Sequence, residues 1–284
     1  MEYNKITIIG MGLIGGSIGK ALMKKRLARE VVGVFRRESS LKRAVKAKAL
    51  TTGYVNNYGE AVKDADIIVI CTPVGTIKKN LDELGKVIRR DGNVIVTDVG
   101  STKEEIVKYA AKYKDRFTFI GSHPLAGSEK AGVESATADL FEKSVCLVSA
   151  PPSRSREKKV KRLTRFWEAL GAKVWSIEPA RHDRNLAFSS HLPHIAAYAL
   201  VGTLEKKFPA CLLATGFRDT TRVASSAAEV WGDIFMSNKK NVLAAIKRYK
   251  KEISSIEKIM VKGDRSALKK KIGKMKETRD AFFK

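Results

Sequence analysis

Lys5-Ile6-Thr7-Ile8-Ile9-Gly10-Met11-Gly12-Leu13-Ile14-Gly15 is the segment on which the fold turns. An apolar run of strand length meets G-x-G-x-x-G, a helical pattern opens, and a second apolar run follows at Val31 to Phe35. Glycine at those positions permits a tight turn, close approach of backbone to a pyrophosphate, and close packing of helix on strand. The helix start adds unpaired amides and a favourable dipole. Gly10, Gly12, Leu13, Ile14 and Gly15 are therefore expected to hold the phosphates of a dinucleotide.

The second strand ends in Phe35-Arg36-Arg37, with Ser39 and Ser40 just beyond, where an NAD-binding chain usually places a carboxylate for the ribose hydroxyls. Two guanidiniums suit a 2′-phosphate instead, so the expected cofactor is NADP, with NAD as the alternative. Arg36 and Arg37 stacking on the adenine or facing solvent is the competing reading. Strand-like runs recur at Ile67 to Cys71, Val94 to Thr97, Val145 to Val148 and Lys173 to Ile177, with helical patterns between them. Such alternation predicts an α/β fold with a doubly wound, mostly parallel sheet of Rossmann type. Thr72 and Pro73 would lie along the dinucleotide, on the same edge as the glycine turn. After Glu178-Pro179 strand patterns stop. The expected division is a dinucleotide-binding domain over residues 1–178 and an all-helical substrate-binding and dimerisation domain over residues 179–284. Ala196 to Leu204 is apolar on most sides, which suits a helix buried in a dimer interface.

Composition narrows the class. No apolar run approaches the ~20 residues needed to span a bilayer, and nothing reads as a signal peptide, so a cytoplasmic protein without a membrane partner is expected. Cys71, Cys146 and Cys211 are read as free thiols in a reducing compartment. The net charge of +25 raises the question of nucleic acid. Residues 239–284 carry 16 Lys and Arg against 5 Asp and Glu. There Ile246, Tyr249, Ile253, Ile256 and Met260 recur at steps of three and four, so the lysines read as the wet face of an amphipathic helix. No nucleic-acid partner is expected.

Chemistry concentrates in four places. The run Phe117 to Ile120 reads as a strand, with His123 just past its end and locked by Pro124, where open α/β sheets place reacting groups. Asp98 to Lys103 sits at another strand end. Ser101 and Glu104 match a capping box, and Ser101 at such a helix start would equally face the cleft. Of four histidines, three lie within His182 to His194. Ser190 and His194 share a helix face, and Pro193 frees a nearby carbonyl. No metal spacing is present, so hydrogen bonding to an anionic ligand or a satisfied core role is expected, with no metal. Finally Gly216 to Arg222, followed by Trp231, sets two arginines among polar groups. That pattern suits carboxylate recognition or surface ion pairing.

Together GMGLIGGS (10–17), DVGSTK (98–103), GSHPLAGSEKAG (121–132), SHLPH (190–194) and GFRDTTRVAS (216–225) resemble the prephenate/arogenate dehydrogenase family of tyrosine biosynthesis, in order along nearly the whole chain. The resemblance implies oxidative decarboxylation of prephenate to 4-hydroxyphenylpyruvate, or of arogenate to tyrosine, with hydride passing to NAD(P). It implies that His123 takes the ring hydroxyl's proton, with Ser101 orienting that histidine. Arg222 would bind a substrate carboxylate, and His182, Ser190, His194, Glu129 and Trp231 would line the pocket. It also implies a homodimer through the helical domain. The alternative enzyme is a β-hydroxyacid-type NADP-dependent dehydrogenase using a lysine of the helical domain. Outside enzymes the rival is a nucleotide-sensing protein on nucleic acid.

Overall fold

The computed structural model describes residues 1–89, 93–126, 131–150 and 156–283. They form two compact units, Met1–Asn238 and Lys239–Lys284. The first opens with β1 (Tyr3–Ile9), α1 (Leu13–Lys24), β2 (Ala28–Phe35), α2 (Glu38–Lys46), β3 (Thr52–Val55), α3 (Tyr58–Val62) and β4 (Ile67–Ile70). Next come α4 (Val74–Val87), β5 (Ile95–Asp98), α5 (Glu104–Ala110) and β6 (Thr118–Phe119). These six strands make one parallel sheet in the order β3-β2-β1-β4-β5-β6. The order reverses direction between β1 and β4, which is where ligands of open α/β sheets bind. Apolar strands with both faces covered explain the unbroken runs in β1 and β4. Ile6 and Ile8 face a core with Leu22 and Phe166, whereas Ile9 and Ile70 face one with Ile77 and Leu81. The short edge strand β3 is too polar and glycine-broken to read from alternation.

The chain then leaves the main sheet. β7 (Gly121–Pro124), β8 (Val145–Ser149), α6 (Glu157–Leu170) and β9 (Lys173–Ser176) build a second sheet, in the order β7-β8-β9. β7 runs antiparallel to β8, and β8 parallel to β9. His123 is thus not past a strand end but inside β7, opposite Leu147. The expected strand over 117–120 shortens to Thr118–Phe119, and Ile120 carries the chain from one sheet to the other.

From α7 (Pro179–Leu186) onward the described residues are helical or irregular. A π-helical turn over Ala187–His191 leads into α8 (Leu192–Gly202), with Pro193 in its first turn. α9 (Thr215–Thr221) and α10 (Ala228–Ser237) complete this unit. Within α8 only Ala197 is buried, while Leu200 and Val201 are 37% and 43% exposed. The second unit is a hairpin of α11 (Lys239–Val261) and α12 (Arg265–Phe282), with Lys271 paired to Glu252 and Asp264 capping α12. Among the described residues no helix is long and apolar enough to cross a membrane, and no group of His, Cys, Asp or Glu is placed to hold a metal ion. Cys71, Cys146 and Cys211 are free.

Candidate active site

The carboxyl ends of β1, β2 and β4 open into a cleft of about 400 Å³. Gly10 forms its floor at φ +89°, and a Cβ there would lie 2.7 Å from Thr72 Cγ2. A Cβ on Gly15 would lie 2.2 Å from the Gly10 carbonyl oxygen. Only glycine lets the turn and α1 close this tightly. Leu13, Ile14 and Gly15 form the first turn of α1, which no side chain caps, so its amides remain for a ligand. Gly12, Arg36, Arg37, Thr72 and Pro73 line the cleft. Arg43 and Lys79, which the sequence reading passed over, line it too, and no carboxylate is among the described lining residues. A glycine cradle, an uncapped helix start and cationic walls fit a dinucleotide phosphate backbone. On one wall the Tyr58 hydroxyl donates to Asn80 Oδ1 at 2.7 Å, and Asn80 Nδ2 donates to Thr72 Oγ1 at 2.9 Å.

The second cluster gathers around β7, which packs beside β5. Asp98 at the end of β5 and Lys103 form an ion pair with both side chains fully buried. A Cβ on Gly121 would lie 2.9 Å from Lys103 Cδ, so the strand packs directly on the buried lysine. His123 is half-buried, and its Nδ1 lies 2.9 Å from Nε2 of His182, which is fully buried. His182 Nδ1 donates to Asp183 Oδ1 at 2.7 Å. The capping-box reading fails: α5 begins at Glu104, Lys103 occupies the N-cap position, and Ser101 caps nothing. The amides of Lys103 and Glu104 donate instead to the Asp183 carboxylate, from 80 residues away, at 2.7 and 2.9 Å. That leaves Ser101 half-buried, with its hydroxyl unbonded among the described residues.

His194 Nδ1 donates to the Ser190 carbonyl at 3.0 Å, and its ring stacks on Trp231 with centroids 3.3 Å apart. The Ser190 side chain is half-buried, and its hydroxyl has no partner among the described residues. Arg222 follows the last residue of α9, exposed and without a carboxylate partner among the described residues. Its charge reaches His194, whose pKa burial, followed by Arg222, pulls below 6.5. Burial chiefly, then His182 and Lys103, holds His123 well below 6.5; burial also lowers His182, against the pull of Asp183. These imidazoles are neutral at pH 7 and able to accept a proton or donate one hydrogen bond. Glu129 lies outside the described residues.

The structure therefore brings His123, His182 and Asp183 together, and separately His194, Ser190, Trp231 and Arg222. Asp183 and Asn238 were missed, and Asp98 and Lys103 were noted only as the ends of a strand-end segment, with no role of their own. Only the adjacency of His182 and Asp183 in sequence hinted at a carboxylate orienting a histidine. Asn238 donates to the Asp183 carbonyl at 2.7 Å and lies 3.2 Å from His191 Nδ1.

Two family models match the chain: prephenate dehydrogenase, nucleotide-binding domain, over residues 18–176, and prephenate dehydrogenase, dimerization domain, over residues 178–274. The chain belongs to the prephenate dehydrogenase family. A prephenate dehydrogenase of Bacillus subtilis (strain 168) is 33% identical over 294 residues, covering 99% of this chain and 77% of that protein. Among solved structures, prephenate dehydrogenase from Aquifex aeolicus in complex with hydroxyphenyl propionate and NAD+ superposes with a TM-score of 0.89 at 29% identity, covering 99% of each chain. Arogenate dehydrogenase from Synechocystis gives a TM-score of 0.82 at 27% identity, over 98% of this chain and 99% of that one.

Proposed function

We propose that the chain is an NAD(P)-dependent oxidoreductase that oxidatively decarboxylates prephenate to 4-hydroxyphenylpyruvate in tyrosine biosynthesis. The observation that carries the reading is the neutral His123 imidazole, backed at 2.9 Å by His182, on a strand whose following segment returns Gly132 and Val133 to the wall of the dinucleotide cleft. When bound, the nicotinamide accepts the hydride. His123 takes the proton of the ring hydroxyl as the hydride leaves the same carbon; loss of CO2 then leaves an aromatic phenolate, to which His123 returns the proton. Aromatisation supplies the driving force, so the chain's task is alignment, a base and anion binding. Ser101 orients the hydroxyl and His123. Arg222 binds a substrate carboxylate, and Ser190, His194, Glu129 and Trp231 line the pocket; His182, fully buried with both ring nitrogens engaged, acts from behind His123 and not on the substrate.

Residues 1–178 serve the cofactor. Residues 179–284 serve the substrate and a homodimer, which the exposed apolar side of α8 supports. NADP is the preferred cofactor, because Arg36, Arg37, Arg43 and Lys79 line the cleft without a carboxylate among its described residues. The test crosses prephenate, arogenate and a panel of 3-hydroxyacids with NAD and NADP, following reduced-cofactor absorbance. Turnover of a 3-hydroxyacid and not of the cyclohexadienols rejects the reading. Replacing Arg36 and Arg37 by Ala is expected to weaken NADP about 10–100-fold more than NAD, the worth of lost charge-assisted hydrogen bonds.

A further inference from the structure

We propose that Asp183 is a positioning residue that dictates which ring nitrogens of His182 and His123 carry their protons, leaving Nε2 of His123 as the proton acceptor. The role rests on the reading of His123 as the base. Asp183 is 2% exposed. Its Oδ1 accepts from the Lys103 amide and from His182 Nδ1, each at 2.7 Å, and its Oδ2 accepts from the Glu104 amide at 2.9 Å. Backbone amides can only donate, so a carboxyl group meeting two of them and an imidazole is an acceptor throughout. His182 Nδ1 therefore bears the proton.

A neutral imidazole has a single N–H, so His182 Nε2 presents a lone pair. The atom 2.9 Å from it, His123 Nδ1, must then donate. His123 Nε2 is left bare, and it has no partner among the described residues. The proton order runs Asp183, His182, His123, with each link fixed by the one before. Asp183 is held on every side: the two amides at the start of α5 grip its carboxylate, and Asn238 Nδ2 donates to its carbonyl at 2.7 Å. The same grip fixes the start of α5, whose N-cap Lys103 lies two residues after Ser101. One carboxylate thus sets the tautomer of the base and anchors the start of α5.

The test is nitrogen NMR of the imidazoles in the full 15N-labelled chain, with His123→Gln and His182→Gln spectra assigning the signals. Protonated Nδ1 and bare Nε2 are expected in both rings, and an Nε2–H tautomer of His123 in the unmodified chain overturns the proposal. Asp183→Asn sets an amide nitrogen against a backbone N–H or reverses the His182 tautomer. It is expected to lower kcat about 10–100-fold with KM for prephenate within about twofold, since only the chemical step uses the bare nitrogen. Asp183→Asn with unaltered kcat and an unaltered His123 tautomer refutes the role. If the variant does not fold, the spectrum of the unmodified chain decides alone. Absence of prephenate turnover in the unmodified chain would defeat the functional reading, while the tautomers would still judge Asp183.

Discussion

Among the described residues His123 pairs through Nδ1 alone, so its other nitrogen is the group that a substrate hydroxyl would meet. His123→Asn keeps a donor near His182 but removes the base. It is expected to lower kcat about 10²–10⁴-fold with little change in KM, because the lost hydrogen bond strengthens as charge develops. Steady-state rates at saturating cofactor check this, and an unchanged kcat removes His123 from the role. Arg222 has the opposite signature. Its guanidinium is exposed and unpaired among the described residues, so Arg222→Ala should disturb the protein little and raise KM for prephenate about 10-fold or more, with a smaller effect on kcat. Unaltered KM would detach Arg222 from substrate. Residue types and spacing were enough to nominate both side chains. Their partners were not readable: His182 lies 59 residues from His123, and the carboxylate capping α5 lies 80 residues from Lys103.

Among the elements, β5 and α5 are joined by the buried Asp98–Lys103 pair, which sits behind β7 and shapes the field at the histidines. Taking one partner away strands a charge in the interior. Lys103→Met is expected to cost about 3–5 kcal/mol, whereas the double change Asp98→Leu with Lys103→Met should recover much of that loss. Urea unfolding of the three proteins measures the difference, and equal stabilities would make the pair a bystander. α8 poses a different question, since its apolar Leu200 and Val201 face outward. Val201→Glu is expected to convert the dimer to monomer, read by sedimentation at fixed protein concentration. A monomer before any substitution, or a dimer after it, places the interface elsewhere. The hydropathy of Ala196 to Leu204 marked this helix in advance. The start of α5 misled, because Ser101 and Glu104 have the spacing of a local cap and the tertiary contact to Asp183 took its place.

At the scale of the whole protein, four neutral histidines make stability depend on pH. Burial pulls His191 from 6.5 to about 4, and lowers His123, His182 and His194 as well. Below about pH 6.5 the unfolded chain takes up protons that the folded chain refuses, so stability is full above that pH and falls as pH drops towards 4. His191 alone contributes on the order of 3 kcal/mol over this window. Thermal melts between pH 7.5 and about 4.5 at constant ionic strength should show Tm falling with pH, and His191→Gln should flatten the slope. A Tm that rises on acidification contradicts the burial argument.

What could be read from the amino acids alone was what local chemistry enforces. The glycine turn, the alternation of strand and helix, the arginines in place of a carboxylate at the very end of β2, and the histidines as candidate reacting groups all depend on neighbours within a few residues. The tertiary structure alone decided that His123 lies within a second sheet, that Asp183 caps α5 and steadies His182, and that Lys103 is buried against Asp98. The physical reason is desolvation. Polar groups removed from water must find partners wherever the folded chain supplies them, and no periodicity in the sequence says which distant residue that will be.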